Sequence, residues 1–162
     1  VIIGRVQIGA NCFIGAGVVI RADRFSADGQ DCSITIGDGS VIQDVSVLHA
    51  HSDTSIRLGS GTIVNHGVVI HGPATVGDRC FIGCKAIVHY ATIGNNVFVR
   101  SNCVVESVNI PADSFIEIGS CISRQEDVDR LRPITDEEKK FMARAVAEIR
   151  DYPIRYKFSL EM

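Results

Sequence analysis

The sequence predicts an all-β solenoid, a parallel β-helix of hexapeptide repeats, followed by one C-terminal α-helix. Three observations predict it. An aliphatic residue returns every six positions along most of the chain, and a Gly or another small or polar residue usually follows it. After Ile122 this period stops and a helical one replaces it. A six-residue period fits neither an amphipathic helix nor a hairpin meander, whose apolar residues return about every 3.6 and every 2 positions.

The anchors run Ile3, Ile8, Ile14 and Ile20, then Ile36, Ile42 and Leu48, then Leu58, Val64, Ile70, Val76, Ile82 and Val88. A one-residue deletion precedes Ile93, Val99 and Val105, and another precedes Ile110, Ile116 and Ile122. Repeats of this kind resemble left-handed parallel β-helices, in which three hexapeptides make one triangular coil. Anchors then point inward, and small residues such as Cys12, Cys80 and Cys103 fit the tight corners. Coils stack at about 4.8 Å, so residues one coil apart form columns. Two stretches break the period and are expected to loop out, roughly 24–33 and 52–57. Loops on a rigid scaffold commonly rim its functional surface, and both fall beside histidines.

Residues 1–122 therefore form one β-helical domain, and 123–162 a linker, a helix and a tail packed on the solenoid. Thr135 and Glu138 make a capping box that opens a helix over about 136–150. Phe141, Ala145 and Ile149 share one face, widened by Met142 and Val146, and Pro153 ends the run. Such a stripe packs on the solenoid flank, closing its end or lining a subunit contact.

A chain of 162 residues, 46% apolar, can bury one real core. Its net charge of −3 makes no electrostatic case for nucleic acid or an anionic membrane surface. No apolar run approaches the roughly 18 residues that span a bilayer. Six cysteines without a CxxC pair read as reduced, mostly buried thiols of a cytoplasmic protein. The sequence opens at Val1 inside the repeat, which leaves room for upstream residues and a targeting segment.

Four of the five histidines lie between Val47 and Val76, and the repeat decides where three of them point. His49 and His71 each follow their anchor by one residue and stack in one column on adjacent coils. Two imidazoles so placed suit one metal ion, held at about 2.0–2.1 Å by each. His66 follows Val64 by two residues and lies on the preceding face. It cannot easily reach round a corner to the same ion, but a neighbouring subunit could supply it. The spacing predicts a cyclic homotrimer with each metal shared between two chains. Arg21, His89 and Glu106 join the column of His49 and His71. Asp44, Cys84 and Ser101 join that of His66, and Gln43 follows Ile42 directly. Arg21 of one chain could then pair with Asp44 of the next. Any one of these histidines alone would be an ordinary surface residue; their shared register argues for metal. His89 reads as structural or as a supporting group behind the ligands, and Cys84 as a small buried thiol.

Three segments carry a resemblance to a known family: IRAD (Ile20–Asp23), IQDVSVLHA (Ile42–Ala50) and NHGVVIHGPATVGDRCFIG (Asn65–Gly83). In these the chain resembles the γ-class carbonic anhydrases, whose relatives include the N-terminal domain of carboxysomal CcmM. The resemblance implies a left-handed β-helical homotrimer with Zn²⁺, or Fe²⁺ or Co²⁺, held at each interface by His49, His66 and His71. It implies that Arg21, Asp23 and Asp44 form ion pairs between subunits and that Gln43 orients the solvent at the metal.

The implied reaction is reversible hydration of CO₂ to bicarbonate, with the metal lowering the pKa of its water to about 7. Three neutral histidines and an open position are the mark of a catalytic zinc site. The chain departs from the family pattern in lacking two acidic residues: Arg24 stands after the RxD motif, and a short HSDT loop (His51 to Thr54) follows the first ligand. His51 or Asp53 could substitute as proton relay. Two alternatives stay open. One is a metal-bearing but catalytically silent scaffold subunit; the other is a hexapeptide acyltransferase using one His as base and coenzyme A as donor.

Overall fold

The computed structural model describes residues 1–23, 32–51 and 53–152. The chain winds into a parallel β-solenoid of about six turns, visiting three faces in rotation. The first face stacks Ile2–Ile3, Val19–Ala22, Val47–Ala50, Val69–His71, Ile87–His89, Val104–Glu106 and Cys121–Ile122. The second runs from Arg5–Ile8 to Asn109–Ile110, and the third from Phe13–Ile14 to Ser114–Ile116.

The anchors explain why this coil closes. Every one from Ile20 to Ile122 is buried, and from Ile36 on each lies in register over the anchor of the coil before it, as Ile70 does over Leu48. Ile3 is not an anchor in the structure: it lies in register with Arg21 on the outer side of the face, Ile2 lies in register with Ile20, and on this first coil both are exposed. The small residue after the anchor has a steric cause. A Cβ at Gly59 would sit 2.4 Å from Asp78 Oδ1, and one at Gly77 2.3 Å from Asn95 Oδ1, because one coil's corner rests on the next. Polar groups buried at the corners are bonded in a ladder. Ser40 Oγ donates to the Gly59 carbonyl (2.8 Å), Thr62 Oγ1 to that of Gly77 (2.7 Å) and Cys80 Sγ to that of Gly94 (3.0 Å).

Two further expectations are corrected. The excursion placed at 52–57 is shorter, because Ser55–Leu58 is already a strand paired with Ser33–Ile36. The detour centres on 51–54, closed by Thr54, whose Oγ1 donates to the His51 carbonyl (2.7 Å) and accepts the His51 N–H (3.1 Å). Ser33 likewise opens a strand, and residues 24–31 of the other excursion lie outside the described residues. The stretch read as a linker also carries structure. It holds a helical turn, α1 (Gln125–Val128), and a strand, Arg132–Pro133, that adds antiparallel to Ser114–Ile116.

The second helix, α2, spans Asp136–Arg150. Thr135 Oγ1 accepts the Glu138 N–H (3.2 Å), and Glu138 accepts the Thr135 N–H (2.8 Å). Arg132 lies 3.5 Å over the Phe115 ring and 2.6 Å from Glu138, joining the helix start to the last coils. From there α2 runs back along the third face. Phe141 stacks on Phe98 (5.9 Å, 9°), which in turn packs on Phe81 and Phe115. Val41 and Ile63 sit one place before their anchors, on the outer side of this face, and are fully buried. The 15 residues of α2 rise about 22 Å, close to the about 24 Å that six stacked strands span. At the far end Tyr152 meets the edge of Phe13 at 6.3 Å. The tail expected to pack on the solenoid lies, from residue 153 onward, outside the described residues. No described helix is long and apolar enough to cross a membrane.

Candidate metal centre

Parallel register builds a polar column on the outer side of the first face. Arg21 pairs in register with His49, His49 with His71, His71 with His89, and His89 with Glu106. Successive rings meet edge to face: His49 and His71 are 5.1 Å apart at 85°, His71 and His89 5.0 Å apart at 81°. His51, brought back by the Thr54 turn, stands 4.5 Å from His71 and 5.5 Å from His49. Its Nδ1 is buried and without a hydrogen-bond partner.

Each ring of the central pair has an outer partner. His71 Nδ1 lies 3.1 Å from the Gly72 carbonyl, so its N–H donates there and Nε2 keeps a free lone pair. Burial holds the His71 pKa below the ordinary histidine value, and its imidazole neighbours act the same way. His49 Nε2 lies 2.9 Å from Asp23 Oδ2, which leaves the His49 Nδ1 lone pair free in the neutral ring. Asp23 is itself buried and gripped by Arg21, and that hydrogen bond, with the one to His49, holds its carboxyl below the usual range. The order of contacts along this edge is therefore Arg21, Asp23, His49.

His66 does not join this cluster. It occupies the corner between the third and first faces, half-exposed, with Nδ1 3.5 Å from Asp44 Oδ2. Asp44 Oδ1 accepts the Ala16 N–H at 2.8 Å, tying that corner to the coil before it. The next residue, Val45, is held at φ 55°, a left-handed conformation uncommon for a β-branched side chain. Gln43 and Asn65 are buried here, and with Asp44, His66, Phe13 and Tyr152 they line a cavity of about 620 Å³. Asn65, Phe13 and Tyr152 were not singled out from the sequence. Asn65 stands next to His66 and could have been, whereas Tyr152 arrives only because α2 runs the length of the solenoid. Asp53 sits apart on the turn, at φ 63°.

The structure thus gathers Arg21, Asp23, His49, His51 and His71 on one face and Gln43, Asp44 and His66 at another corner. Among the described residues of one chain, no three His, Cys, Asp or Glu side chains are placed to hold a metal ion together. The donors themselves suit a borderline cation: neutral imidazoles, two of them backed by a carboxylate or a carbonyl.

A family described as "hexapeptide repeat of succinyl-transferase" matches residues 5–43 and 73–107. The chain is 33% identical over 150 residues to the carboxysome assembly protein CcmM of a Nostoc species, covering 86% of this chain and 26% of that protein. It is 30% identical over 155 residues to the carbonic anhydrase of Methanosarcina thermophila, covering 84% of this chain and 60% of that enzyme. The chain thus spans less than two thirds of either relative's own length. A solved hexapeptide transferase family protein from Anaplasma phagocytophilum superposes with a TM-score of 0.77 over 96% of this chain and 84% of that one. At 22% identity that likeness shows the fold alone.

Proposed function

The chain is a hexapeptide-repeat protein of the γ-carbonic-anhydrase-like family, and from that premise we propose that it is a zinc-dependent carbonic anhydrase. Its reaction is the reversible hydration of CO₂ to bicarbonate at sites shared between subunits of a homotrimer. The observation that carries the reading is the stacked pair of His49 and His71, with His66 round the corner beside a cavity. A repeat of this regularity lets a second copy lie alongside and present its His66 to the pair.

In this reading His49 and His71 of one subunit and His66 of its neighbour would hold Zn²⁺, with Fe²⁺ or Co²⁺ as alternatives. When bound, the ion supplies the Lewis acidity that makes water a competent nucleophile toward CO₂ near neutral pH. The Gly72 carbonyl fixes the His71 tautomer, and Asp23 fixes the His49 ring. Gln43, buried at the cavity wall, orients solvent through its side-chain amide. Arg21 and Asp44 line the two surfaces that meet. His51, packed against both His49 and His71, carries the released proton on its Nδ1, and Asp53 on the same turn is the alternative carrier. A cytoplasmic location is part of the same proposal, resting on six cysteines without a CxxC pair.

The likeness to a protein named for carboxysome assembly favours a second reading, a metal-bearing scaffold subunit without turnover. One experiment separates them: stopped-flow CO₂ hydration on anaerobically purified, metal-quantified protein, beside His66→Ala. Activity with about one metal per chain, both lost in the variant, supports the shared-site enzyme. Full metal without activity supports the scaffold. Absence of metal removes both and returns the acyltransferase to consideration.

A further inference from the structure

On its other flank, away from the histidines, α2 leaves a groove at the corner between the second and third faces. Some 510 Å³ of space lies between helix and solenoid there, within the about 300–1,000 Å³ common for small-molecule sites. The groove exists because the facing residues are small. Ala143 and Ala147 stand one helical turn apart on α2, and Gly61 stands opposite them. The groove opens along the edge of the packing stripe: Met142 and Val146 form its inner wall against the solenoid, and the outer alanines leave room.

Every ionic group that lines the groove is positive. Arg79 projects from the solenoid wall, and Lys139, Lys140 and Arg150 come from the helix. The chain as a whole carries −3, so this concentration of charge is local. Arg79 Nε donates to Asn96 Oδ1 at 2.9 Å, which orients its guanidinium, and Lys139 is steadied by Asp113 at 2.6 Å. Lys139 and Arg150 bracket the alanines, about 16 Å apart along the helix axis.

We infer that this groove binds a small organic phosphate, an anion with an apolar body. A bare inorganic anion would leave the alanine floor uncovered. An uncharged amphiphile would leave Arg79, Lys140 and Arg150 without a counter-charge, since among the groove's cations only Lys139 already has a carboxylate, Asp113, among the described residues. A phosphate ester satisfies both, since a guanidinium and ammonium groups match its oxygens and its hydrocarbon covers the floor.

The test is calorimetric titration of the full chain with octyl phosphate below its micellar concentration, beside inorganic phosphate and octyl glucoside. Saturable binding of octyl phosphate at one site per chain is expected. It weakens about tenfold in Arg79→Gln and in Lys140→Gln. It weakens at least as much in Ala147→Trp, which fills the groove from an exposed helical position and leaves every charge in place. His66→Ala, at the other corner, binds octyl phosphate as the parent does, so the result stands apart from the metal site. Circular dichroism checks that each variant keeps its fold. Octyl glucoside binding equally well would reduce the groove to an apolar surface, and inorganic phosphate binding equally well would reduce it to charge. Either result, an unchanged affinity in Ala147→Trp, or no saturable binding overturns the proposal.

Discussion

His71 lies directly over His49, one coil along the first face, with ring centroids 5.1 Å apart and planes at 85°. That relationship follows from the repeat itself, because parallel register leaves two residues one coil apart no other place to go. His66 is in the same repeat but on another corner, so among the described residues of one chain it does not join the pair.

Complementation tests the proposed sharing between chains directly. His66→Ala and His71→Ala should each lose bound metal as pure proteins. Unfolded together in equal amounts and refolded, they should regain about a quarter of the parental metal, the fraction of interfaces that pair an intact His49–His71 with an intact His66. Metal quantification after gel filtration reads the outcome. No recovery in a well-folded mixed oligomer would put all three ligands in one chain.

In the proposed reading His51, packed beside His49 and His71, moves a proton without holding the metal. His51→Ala should keep its metal content and lose CO₂ hydration rate mainly at low buffer concentration, by about 10²-fold at most. Added imidazole should restore much of the loss. A variant indifferent to buffer would assign that duty elsewhere, with Asp53→Asn the next to examine.

Leu48 is fully buried and carries His49 on the next position of its strand. Leu48→Ala should lower unfolding stability by about 2–5 kcal/mol through lost burial and the cavity left behind. Urea unfolding of the apo protein at fixed concentration would measure it. Metal content should fall as well, since the strand that aims His49 loses its inward hold.

Burial pushes the Cys80 thiol up to about 11, and its Sγ–H donates to the Gly94 carbonyl at 3.0 Å. Cys103, buried at a different corner, ahead of the first-face strand Val104–Glu106, donates to the Glu117 carbonyl at the same distance, and burial raises its pKa too. Both should resist iodoacetamide at pH 8 in the folded protein and react readily in denaturant. Peptide mapping by mass spectrometry reads this site by site.

Hydrogen bonding to Arg132 first, and to the Thr135 backbone and side chain after it, holds the Glu138 carboxyl down at about 2. A carboxylate whose folded pKa is depressed adds stability above its unfolded value. That stability is lost as pH falls from about 4.5 through about 2. The thermal midpoint of the parent should fall faster across that window than that of Glu138→Gln, which starts lower at neutral pH. Parallel curves would show that the capping contact contributes nothing to the pH response.

Much of this was legible in the sequence because solenoid packing is local and repetitive. The six-residue anchor named the inward side chains, the deletions kept the columns in step, and Thr135 with Glu138 marked the helix start. The outer covering of the third face was not legible in the same way. Apolar residues come in consecutive pairs there, as in Val41–Ile42 and Ile63–Val64, but equally on the first face, as in Val69–Ile70 and Ile87–Val88, where the outer residue is half-buried or exposed. Only the docked helix distinguishes them.

What the sequence determined by itself is therefore the repeat, the inward core and the shared column of His49, His71 and His89. Each depends only on counting residues along a chain whose neighbours in space are one coil away. The tertiary structure alone decided three other things: that His51 turns back into the histidine cluster, that Arg21 grips Asp23 within its own chain, and that α2 reaches the first coil to set Tyr152 beside Phe13. These depend on how a turn closes, which rotamers pack, and how far a helix extends across several coils. No six-residue period encodes such contacts, because they join parts of the chain that the repeat does not relate.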